Sequence, residues 1–403
     1  MNHKKIIVYF SIPAYGHVNP TLPLIEKLID SNYDVIYFSV ARFQSQVIKT
    51  GAEYREYQLD NQTFDLDQAV ETDFAADLLG NYLKILQILP DLVKDLVAQL
   101  SAENRLPDLI IHDSLASWGR YIAEFLDKPV IAFNNFVAID RYFKPSYWAY
   151  AKVLNKILLK DIKILPKIWL QRLKLLKFRQ TGMTSINFNK EKLNVMAFHP
   201  LLQKGGEYFG EDYFFLGPAA VLREERESSA LTYPTKKVIY ATLGTMSQNQ
   251  QFVEGLFSEL GNSDYIVILS GLKKTDHLHI PSNFIIKPFV NQLEVLSNAC
   301  LFISTGGMNS INDALSQLVP CLIYPTNAEK KLNAINVEKA GVGEIIQDFS
   351  NLKNQAERVI KLAEMSEFQI LAKEMTTVNL TELVRKLETY MKKETHYESV
   401  NYW

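Results

Sequence analysis

Short apolar runs that alternate with helix-like segments constrain the fold of this chain more than any other feature. In the first half, such runs are found at Ile6–Ile12, Val35–Val40, Ala52–Tyr57, Leu109–His112 and Val130–Phe133. Runs this apolar are typical of strands buried on both faces, as in parallel sheets that helices cover on each side. The pattern therefore predicts an α/β domain with a doubly wound parallel sheet in residues 1–221.

Helical signals fill the segments between these runs. After the first run, Asn19 is a candidate N-cap and Pro20 suits the first helical position. Leucines and isoleucines then recur at helical spacing over residues 22–29, and a second helical stretch is predicted over residues 72–100. This order agrees with parallel strands joined by crossover helices.

The same alternation begins again in the second half of the chain. Residues 222–237 are polar, contain Pro234 and form the best candidate for a linker. Beyond it, apolar runs return at Val238–Leu243, Ile266–Ser270, Phe284–Ile286, Leu301–Ser304 and Leu322–Tyr324. We therefore predict a second Rossmann-like domain over residues 236–379.

Composition limits the class of protein further. The 403 residues are 47% apolar and 22% charged with a net charge of −2, which is typical of a soluble globular protein and argues against a nucleic-acid partner. No apolar run approaches the roughly 20 residues that span a bilayer. The first residues lead directly into a strand pattern rather than a signal peptide, and Cys300 and Cys321 lie in apolar runs as expected for buried thiols. We expect a cytoplasmic protein.

Residues 141–179 differ from the rest of the first half. They contain eleven Lys or Arg residues against a single acid, Asp161, interleaved with apolar residues that include two tryptophans. The segment could form helices with a solvated basic face, a lid over a bound acceptor, or a surface for peripheral membrane contact, because basic amphipathic helices favour anionic interfaces. The sequence leaves these three interpretations open.

Two side chains with acid–base chemistry lie at the ends of predicted strands. His17 follows the first run and Asp113 the fourth. In the common strand order 3-2-1-4 those strands are neighbours, and ligands of doubly wound sheets gather at the carboxyl ends of the strands. A carboxylate that fixes the imidazole tautomer would make His17 a general base, whereas a turn or capping role is the alternative. His112 points to the other side of its strand, and we predict a structural role for it.

Two segments with small residues follow strands in the second half. The segment from Ser304 to Ser310 opens a helix, where backbone N–H groups can approach an anion and the helix N-terminus adds partial positive charge. Leu243-Gly244-Thr245 ends another strand in the same way. Each segment is a candidate diphosphate site, and a tight turn between strand and helix is the alternative for both.

We expect no metal site and no resident cofactor. Asp65-Leu66-Asp67 resembles a short acidic metal-binding motif, but it lies in a polar region outside the strands, and we attribute it to chance. The histidines likewise show no spacing typical of metal ligands.

Taken together, these residues resemble the UDP-glycosyltransferase family, and most closely its bacterial members that glycosylate macrolides and flavonoids. The stretch Ser11–Leu22 is similar to the family's amino-terminal motif almost residue for residue, and Asp113 matches the position of its acidic partner. The resemblance implies that His17 deprotonates the acceptor. It covers nearly the whole chain and implies the GT-B fold, in which two Rossmann-like domains face a cleft and the C-terminal helix, about residues 380–403, packs back on the first domain.

The donor-binding part of the resemblance lies in the second half. Residues 242–245 are similar to the family's loop near the donor phosphates, and residues 289–330 to its donor-binding signature. The resemblance implies that Phe289 offers a ring face to the base, and that the Val290 backbone and Gln292 hold base and ribose. The other implied donor contacts are the phosphate-loop residues, the ribose-binding acid and the pair that holds the sugar hydroxyls: Gly244, Thr245, Thr305, Gly306, Gly307, Asn309, Ser310, Asp313, Glu329 and Lys330.

Four positions depart from the family pattern. Thr305 stands where the family usually has a His that contacts the diphosphate, and losing such a charge-assisted contact typically costs about 1.5–3 kcal/mol, or about tenfold to a hundredfold in affinity. Asn291 replaces a proline, Asp313 is one methylene shorter than Glu, and Lys330 replaces Gln. Lys330 could bind the donor phosphates, recognise an anionic sugar, or indicate a site that is no longer used.

The expected activity is metal-independent transfer of a sugar, with inversion, from a nucleotide sugar, expected to be a UDP-sugar, to a hydroxyl of an apolar small molecule. Aromatic residues of the first domain near the base are the expected acceptor contacts: Trp118, Phe136, Tyr142 and Trp148. Two alternatives remain open. The chain could be a catalytically silent relative that activates a partner, as the changes at Thr305 and Lys330 would allow, or a nucleotide-sugar epimerase.

Overall fold

The chain folds into two compact units. Its computed structural model describes residues 4–57, 78–102, 105–138, 163, 165–174, 190–203, 205, 209–222, 231, 237–244, 249–272 and 279–400. The first unit comprises Met1–Met196, Phe209–Phe214 and Asn379–Trp403, and the second comprises Ala197–Tyr208 and Phe215–Val378.

Each unit is built on one sheet. The strands are β1 Ile6–Phe10, β2 Asp34–Ser39, β3 Glu53–Glu56, β4 Leu109–Asp113, β5 Val130–Asn134, β6 Asn194–Met196, β7 Tyr213–Phe215, β8 Val238–Thr242, β9 Ile266–Ser270, β10 Phe284–Lys287, β11 Ala299–Ser304, β12 Cys321–Ile323 and β13 Gly343–Ile345. The strand orders are β3-β2-β1-β4-β5-β6-β7 and β10-β9-β8-β11-β12-β13. The predicted order 3-2-1-4 of the first sheet is confirmed, as is the α/β fold with two parallel sheets.

Helices cover the sheets. They are α1 Tyr15–Val18, α2 Leu22–Asp30, α3 Gln44–Lys49, α4 Leu78–Ala102, α5 Trp118–Leu126, α6 Leu165–Lys174, α7 Gln250–Leu260, α8 Gln292–Ser297, α9 Met308–Ser316, α10 Ala328–Lys339, α11 Leu352–Leu362, α12 Ser366–Met375 and α13 Leu380–Val400. β1 shows the result, because Ile7, Val8, Tyr9 and Phe10 are fully buried on both faces of the sheet. Burial on both faces is why these strands are apolar throughout instead of alternating.

The start of α2 differs from the prediction. Residues 15–18 form the separate short helix α1, and α2 begins at Leu22 with Thr21 at the N-cap position and a proline in its first turn. The Thr21 hydroxyl is 2.7 Å from the Val18 carbonyl oxygen and 2.9 Å from the Tyr37 hydroxyl. The predictions of Asn19 as the cap and of Pro20 at the first helical position are therefore wrong: Asn19 ends α1, where its backbone N–H bonds the Tyr15 carbonyl, and the proline in the first turn of α2 is Pro23.

The boundaries of the two units do not coincide with the predicted linker. Residues 197–208 join the second unit through buried amides: Asn312 donates to the Ala197 carbonyl at 3.3 Å, and Asn336 to the Leu202 carbonyl at 2.7 Å. Most of the predicted linker, residues 222–237, lies outside the described residues.

The C-terminal helix α13 belongs to the first unit. The Tyr390 hydroxyl donates to the Val130 carbonyl at 2.9 Å, and Leu383, Leu387 and Met391 are buried. Three apolar positions at spacings of four residues explain why this polar helix packs along one face.

The basic segment 141–179 is described only at Lys163 and in α6. Along α6, Trp169 is 65% exposed and Ile168 is buried. Within the described ranges, no helix combines the length and the apolar character that crossing a bilayer requires.

Candidate functional site

An imidazole and a carboxylate meet at the carboxyl edge of the first sheet. β1 and β4 are parallel neighbours, with Phe10 in register with His112, so the chain leaves both strands at the same edge. His17, on α1, lies with Nδ1 2.6 Å from Oδ2 of Asp113, the last residue of β4. The Asp113 side chain is 1% exposed and that of His17 is 18% exposed.

The contacts of Asp113 determine the tautomer of His17. Oδ1 accepts the backbone N–H of Leu115 at 2.9 Å, and Oδ2 accepts the side-chain amide of Asn135 at 3.3 Å. Because a carboxylate only accepts hydrogen bonds, the proton of a neutral imidazole lies on Nδ1, and Nε2 carries the lone pair. The arrangement can therefore take a proton at Nε2 and stabilise the resulting imidazolium.

Asn135 was not predicted as part of this site. It follows β5, which is the neighbour of β4, so the rule that carboxyl ends of parallel strands meet at one edge could have found it. Its side chain is 7% exposed, and its amide holds the carboxylate from the side of β5.

His112 faces away from this edge into a buried ion cluster, and the structural role predicted for it is confirmed. Its Nδ1 is 2.7 Å from the Asp113 carbonyl oxygen and its Nε2 is 3.2 Å from Glu191. Arg120 donates to Glu191 at 2.5 Å. Burial raises the pKa of Glu191, but the hydrogen bond from His112 and the charges of His112 and Arg120 prevail and hold this pKa below its usual value.

The structure does not bring the predicted acceptor contacts together as it does His17 and Asp113. Trp118 is 1% exposed and packs edge-on against Tyr57 inside the core of the first unit, at a centroid distance of 5.7 Å. It offers no surface to a ligand, so its prediction as an acceptor contact is corrected to a core role. Phe136 is half-buried just after β5, and Tyr142 and Trp148 lie outside the described residues.

The second sheet brings three loops to one edge. Thr242 of β8 is in register with Ser304 of β11, which is in register with Ile323 of β12. The loops that follow these strands therefore start side by side. They carry Gly244, the segment from Thr305 to Gly307, and the turn that leads into α10.

The loop after β11 has the backbone that an anion site needs. Gly306 has a φ of +95°, and a Cβ there would lie 2.8 Å from a methyl carbon of Ile323. Its carbonyl accepts from the Asn333 amide at 2.9 Å. Gly307 is the N-cap of α9, and a Cβ on it would meet nothing within 4 Å. Asn309 and Ser310 lie half-buried in the first turn of α9.

Thr305 and Lys330 form a direct contact beside this loop. Lys330 Nζ donates to the Thr305 hydroxyl at 2.9 Å and to the Thr326 hydroxyl at 3.2 Å. Thr305 is 3% exposed and its hydroxyl donates to the Leu243 carbonyl at 3.4 Å. Asn327 caps α10 by accepting the backbone N–H of Lys330 at 2.9 Å, and Glu329 lies exposed in the same first turn.

A second polar chain connects β8, α8 and α9. The Gln292 amide donates to Oδ2 of Asp313 at 2.6 Å, and the Tyr240 hydroxyl donates to the Gln292 carbonyl oxygen at 3.3 Å. Asp313 is 2% exposed, and burial raises the pKa of Tyr240 to about 12. Gln292 is thus held at both ends.

The remaining predicted donor contacts lie around this chain. Phe289 is 61% exposed, Val290 is buried, and Asn291, in place of the family's proline, caps α8 by accepting the Glu294 N–H at 3.3 Å. Gly244 has a φ of +76°, and its N–H donates to the Thr242 hydroxyl at 3.1 Å. Thr245 lies outside the described residues, as does the Asp65–Asp67 motif. Across the part of the chain that is described, no group of three or more His, Cys, Asp or Glu could hold a metal ion.

Comparison with known proteins defines the class. No family model matches the chain. The NDP-glycosyltransferase YjiC of Bacillus subtilis strain 168 is 32% identical over 347 residues, which are 84% of this chain and 84% of that protein. The demethyllactenocin mycarosyltransferase of Streptomyces fradiae is 25% identical over 351 residues, 84% of this chain and 75% of that protein.

Solved structures agree on the fold. The kitacinnamycin glycotransferase superposes with a TM-score of 0.74 at 21% identity, over 96% of this chain and 99% of that chain. The calicheamicin glycosyltransferase CalG4 gives a TM-score of 0.72 at 18% identity, over 97% and 99%. The two parallel sheets therefore have the architecture of GT-B glycosyltransferases. The chain belongs to the UDP-glycosyltransferase family, as its amino-terminal motif and donor signature predicted.

Proposed function

We propose that this glycosyltransferase transfers a sugar, with inversion, from a UDP-sugar to a hydroxyl of an apolar natural product. The observation that carries the proposal is the 2.6 Å contact between His17 Nδ1 and Asp113 Oδ2. The names of relatives support the acceptor class, since they include an oleandomycin glycosyltransferase of Streptomyces antibioticus and a mycarosyltransferase. Two relatives of Bacillus subtilis carry the name UDP-glucosyltransferase, which supports the donor.

The proposed step is direct displacement at the anomeric carbon. The acceptor oxygen forms a bond to that carbon as the bond from the carbon to the diphosphate oxygen breaks. Nε2 of His17 takes the hydroxyl proton, and Asp113 stabilises the imidazolium. A single displacement inverts the anomeric centre, so an α-linked donor gives a β-glycoside.

The loop after β11 is proposed to hold the diphosphate. The N-terminus of α9, which follows Gly307, supplies N–H groups and partial positive charge, whereas the Gly306 N–H donates to the Ser304 hydroxyl at 3.2 Å. Because these dipoles are fixed before reaction, they stabilise the charge that develops on the leaving group.

The other proposed donor contacts are those that the family resemblance implies. Phe289, with 61% of its surface exposed, is proposed to stack on the base. The Gln292–Asp313 pair is proposed to hold base and ribose, and Glu329 the sugar hydroxyls. Phe136 remains the proposed acceptor contact among the described residues.

A silent, partner-activating relative is the second candidate, favoured by Thr305 in place of a charged residue. The intact dyad supports the enzyme instead, because a scaffold has no use for an oriented base. Titration of the full chain with UDP and UDP-glucose separates the two candidates. The enzyme should bind both, whereas absence of binding at millimolar ligand would favour the silent relative.

The His17→Ala variant tests the mechanism. Transfer from UDP-glucose to a panel of macrolide and flavonoid acceptors, followed by mass spectrometry, should fall about 10²–10⁴-fold. Affinity for UDP, measured by calorimetry, should stay within about twofold of the wild type, because His17 is a base and not a donor ligand. His279→Ala, at an exposed histidine of the second unit, is the matched control and should leave both values unchanged. Near-wild-type turnover of His17→Ala would overturn the mechanism.

A further inference from the structure

The side chain of Lys330 folds back onto its own sheet edge. Its ammonium contacts two hydroxyls, those of Thr305 at 2.9 Å and Thr326 at 3.2 Å, and the residue is half-buried. A lysine side chain loses considerable rotamer freedom when it is held in one geometry. The contacts that hold the ammonium beside Thr305, the residue after β11, must therefore offset this loss of freedom.

The direction of the hydrogen bonds makes Thr305 a support for the ammonium. An ammonium only donates, so the Thr305 hydroxyl accepts from Lys330 and directs its own proton to the Leu243 carbonyl at 3.4 Å. Thr305 is 3% exposed, which fixes the hydroxyl in place. Its role is to position the charge of Lys330.

Helix stability does not explain the position of this lysine. Lys330 is the third residue of α10, after the Asn327 cap. Cations in the first turn of a helix face the positive end of its dipole, which is unfavourable. The contact of its ammonium with Thr305 leads out of the helix to the loop after β11.

The anion loop lies directly against Lys330. A Cβ on Gly306 would be 3.1 Å from the Lys330 carbonyl oxygen and 3.3 Å from its Cβ. The loop backbone and residue 330 are thus packed together, with the ammonium on the residue that precedes the two glycines. The ammonium at Thr305 and the N-terminus of α9 after Gly307 thus lie on the same short segment.

We propose that Lys330, positioned by Thr305, is the cation that binds the diphosphate of the nucleotide sugar. This inference rests on the proposed function, because it assigns the charge of the donor site formed by the loop after β11. An ammonium acts on a phosphate as a point charge, so it binds the ground state and also stabilises the diphosphate as it leaves.

Calorimetric titration of the full chain tests this assignment. The probe is UDP or TDP, whichever the wild type binds more tightly, and the variant is Lys330→Gln. Loss of a charge-assisted contact should weaken the affinity about tenfold to a hundredfold. The loss should be smaller for UMP, which lacks the second phosphate, and Lys330→Arg should keep the diphosphate affinity within about threefold.

Lys331→Gln is the matched control. It removes the same charge one residue later from an exposed position on the same helix, so it tests whether any loss is a general field effect. Its diphosphate affinity should stay within about twofold of the wild type. Melting temperatures of all three variants near that of the wild type show that folding is intact.

Two results would overturn the inference while leaving the proposed function in place. One is an unchanged diphosphate affinity in Lys330→Gln. The other is a loss confined to UDP-glucuronate, which would assign the ammonium to a sugar carboxylate. If the wild type itself bound neither UDP nor TDP, the proposed function would fall first and this inference with it.

Discussion

The two units carry different kinds of candidate site, and we expect these sites to differ in the substitutions that they tolerate. In the first unit, His17 and Asp113 lie within 2.6 Å of each other, at the positions where the family resemblance expects them. In the second unit, a glycine loop follows β11, and the ammonium of Lys330 contacts Thr305 beside it. The first site therefore depends on one hydrogen bond between two side chains, whereas the second combines a glycine loop with a nearby positive charge.

Geometry explains this difference. A general base and its carboxylate must share one hydrogen bond, so neither group can move to another element without losing the contact. A diphosphate needs positive potential, and Coulomb attraction falls off only as the inverse of distance. Any residue that reaches the loop can supply that potential. The dyad is therefore expected to tolerate no substitution, and the loop to tolerate substitutions that conserve charge.

Asp113→Asn should have the largest effect on this comparison. The amide keeps the shape of the carboxylate but cannot stabilise the imidazolium, and its NH₂ group favours the wrong tautomer of His17. We expect transfer to fall about 10²–10⁴-fold, with UDP affinity unchanged. Single-turnover kinetics with saturating donor measures the first value and calorimetry the second.

Asp127→Asn is the control for this change. Asp127 is exposed and has a φ of +52°, a conformation that Asn adopts readily, so activity and stability should both be retained. If Asp113→Asn transferred sugar as fast as this control, the contrast between a fixed dyad and an adaptable loop would be lost.

The predictable part of the fold was the part that periodicity and topology control. Apolar runs located the long strands, and the strand order brought His17 and Asp113 together as expected. The three-residue strands β6, β7 and β13 were not predicted because so short a segment carries no periodic signal, whereas β12, equally short, was found from its apolar run. Alternation along β4 correctly separated His112 from Asp113, because neighbouring side chains of a strand point to opposite faces.

Side-chain partners from distant segments were not predictable in the same way. Trp118 was assigned to the acceptor as an aromatic residue of the first domain expected near the base, but α5 turns it into the core against Tyr57. The contact between Lys330 and Thr305 was not predicted, since a long flexible side chain has many rotamers and only packing selects one.

Gly306→Ala and Gly307→Ala should show that the first glycine is needed for stability and the second for donor binding. The first variant combines a φ of +95° with a Cβ placed 2.8 Å from Ile323, so the free energy of unfolding should fall by about 1–3 kcal/mol. The second has a φ of −68° and open space, so its stability should change by less than about 1 kcal/mol.

UDP affinity should change in Gly307→Ala, the variant whose stability is expected to stay nearly unchanged. The added methyl of Gly307→Ala enters the space where an anion would approach the backbone, so UDP binding should weaken although folding is intact. Urea denaturation and calorimetry provide the two measurements. A stable Gly307→Ala variant with wild-type UDP affinity would show that the loop does not hold the diphosphate.

Thr305→Val should have the smallest effect and tests how the charge is positioned. The variant keeps nearly the same volume at a site that is 3% exposed, but it removes the hydroxyl that contacts Lys330 and Leu243. Lys330 keeps its charge and loses only its orientation, so UDP affinity should fall about twofold to tenfold, as for one neutral hydrogen bond. Thr305→Ser, which retains the hydroxyl, should have a UDP affinity closer to that of the wild type.

A double-mutant cycle with Lys330→Gln tests whether the two residues act together. In the Lys330→Gln background, Thr305→Val should have little further effect on UDP affinity, because the ammonium that the Thr305 hydroxyl orients is no longer present. Additive losses would instead mean that Thr305 binds the donor in its own right, and the charge of Lys330 would then act independently of it.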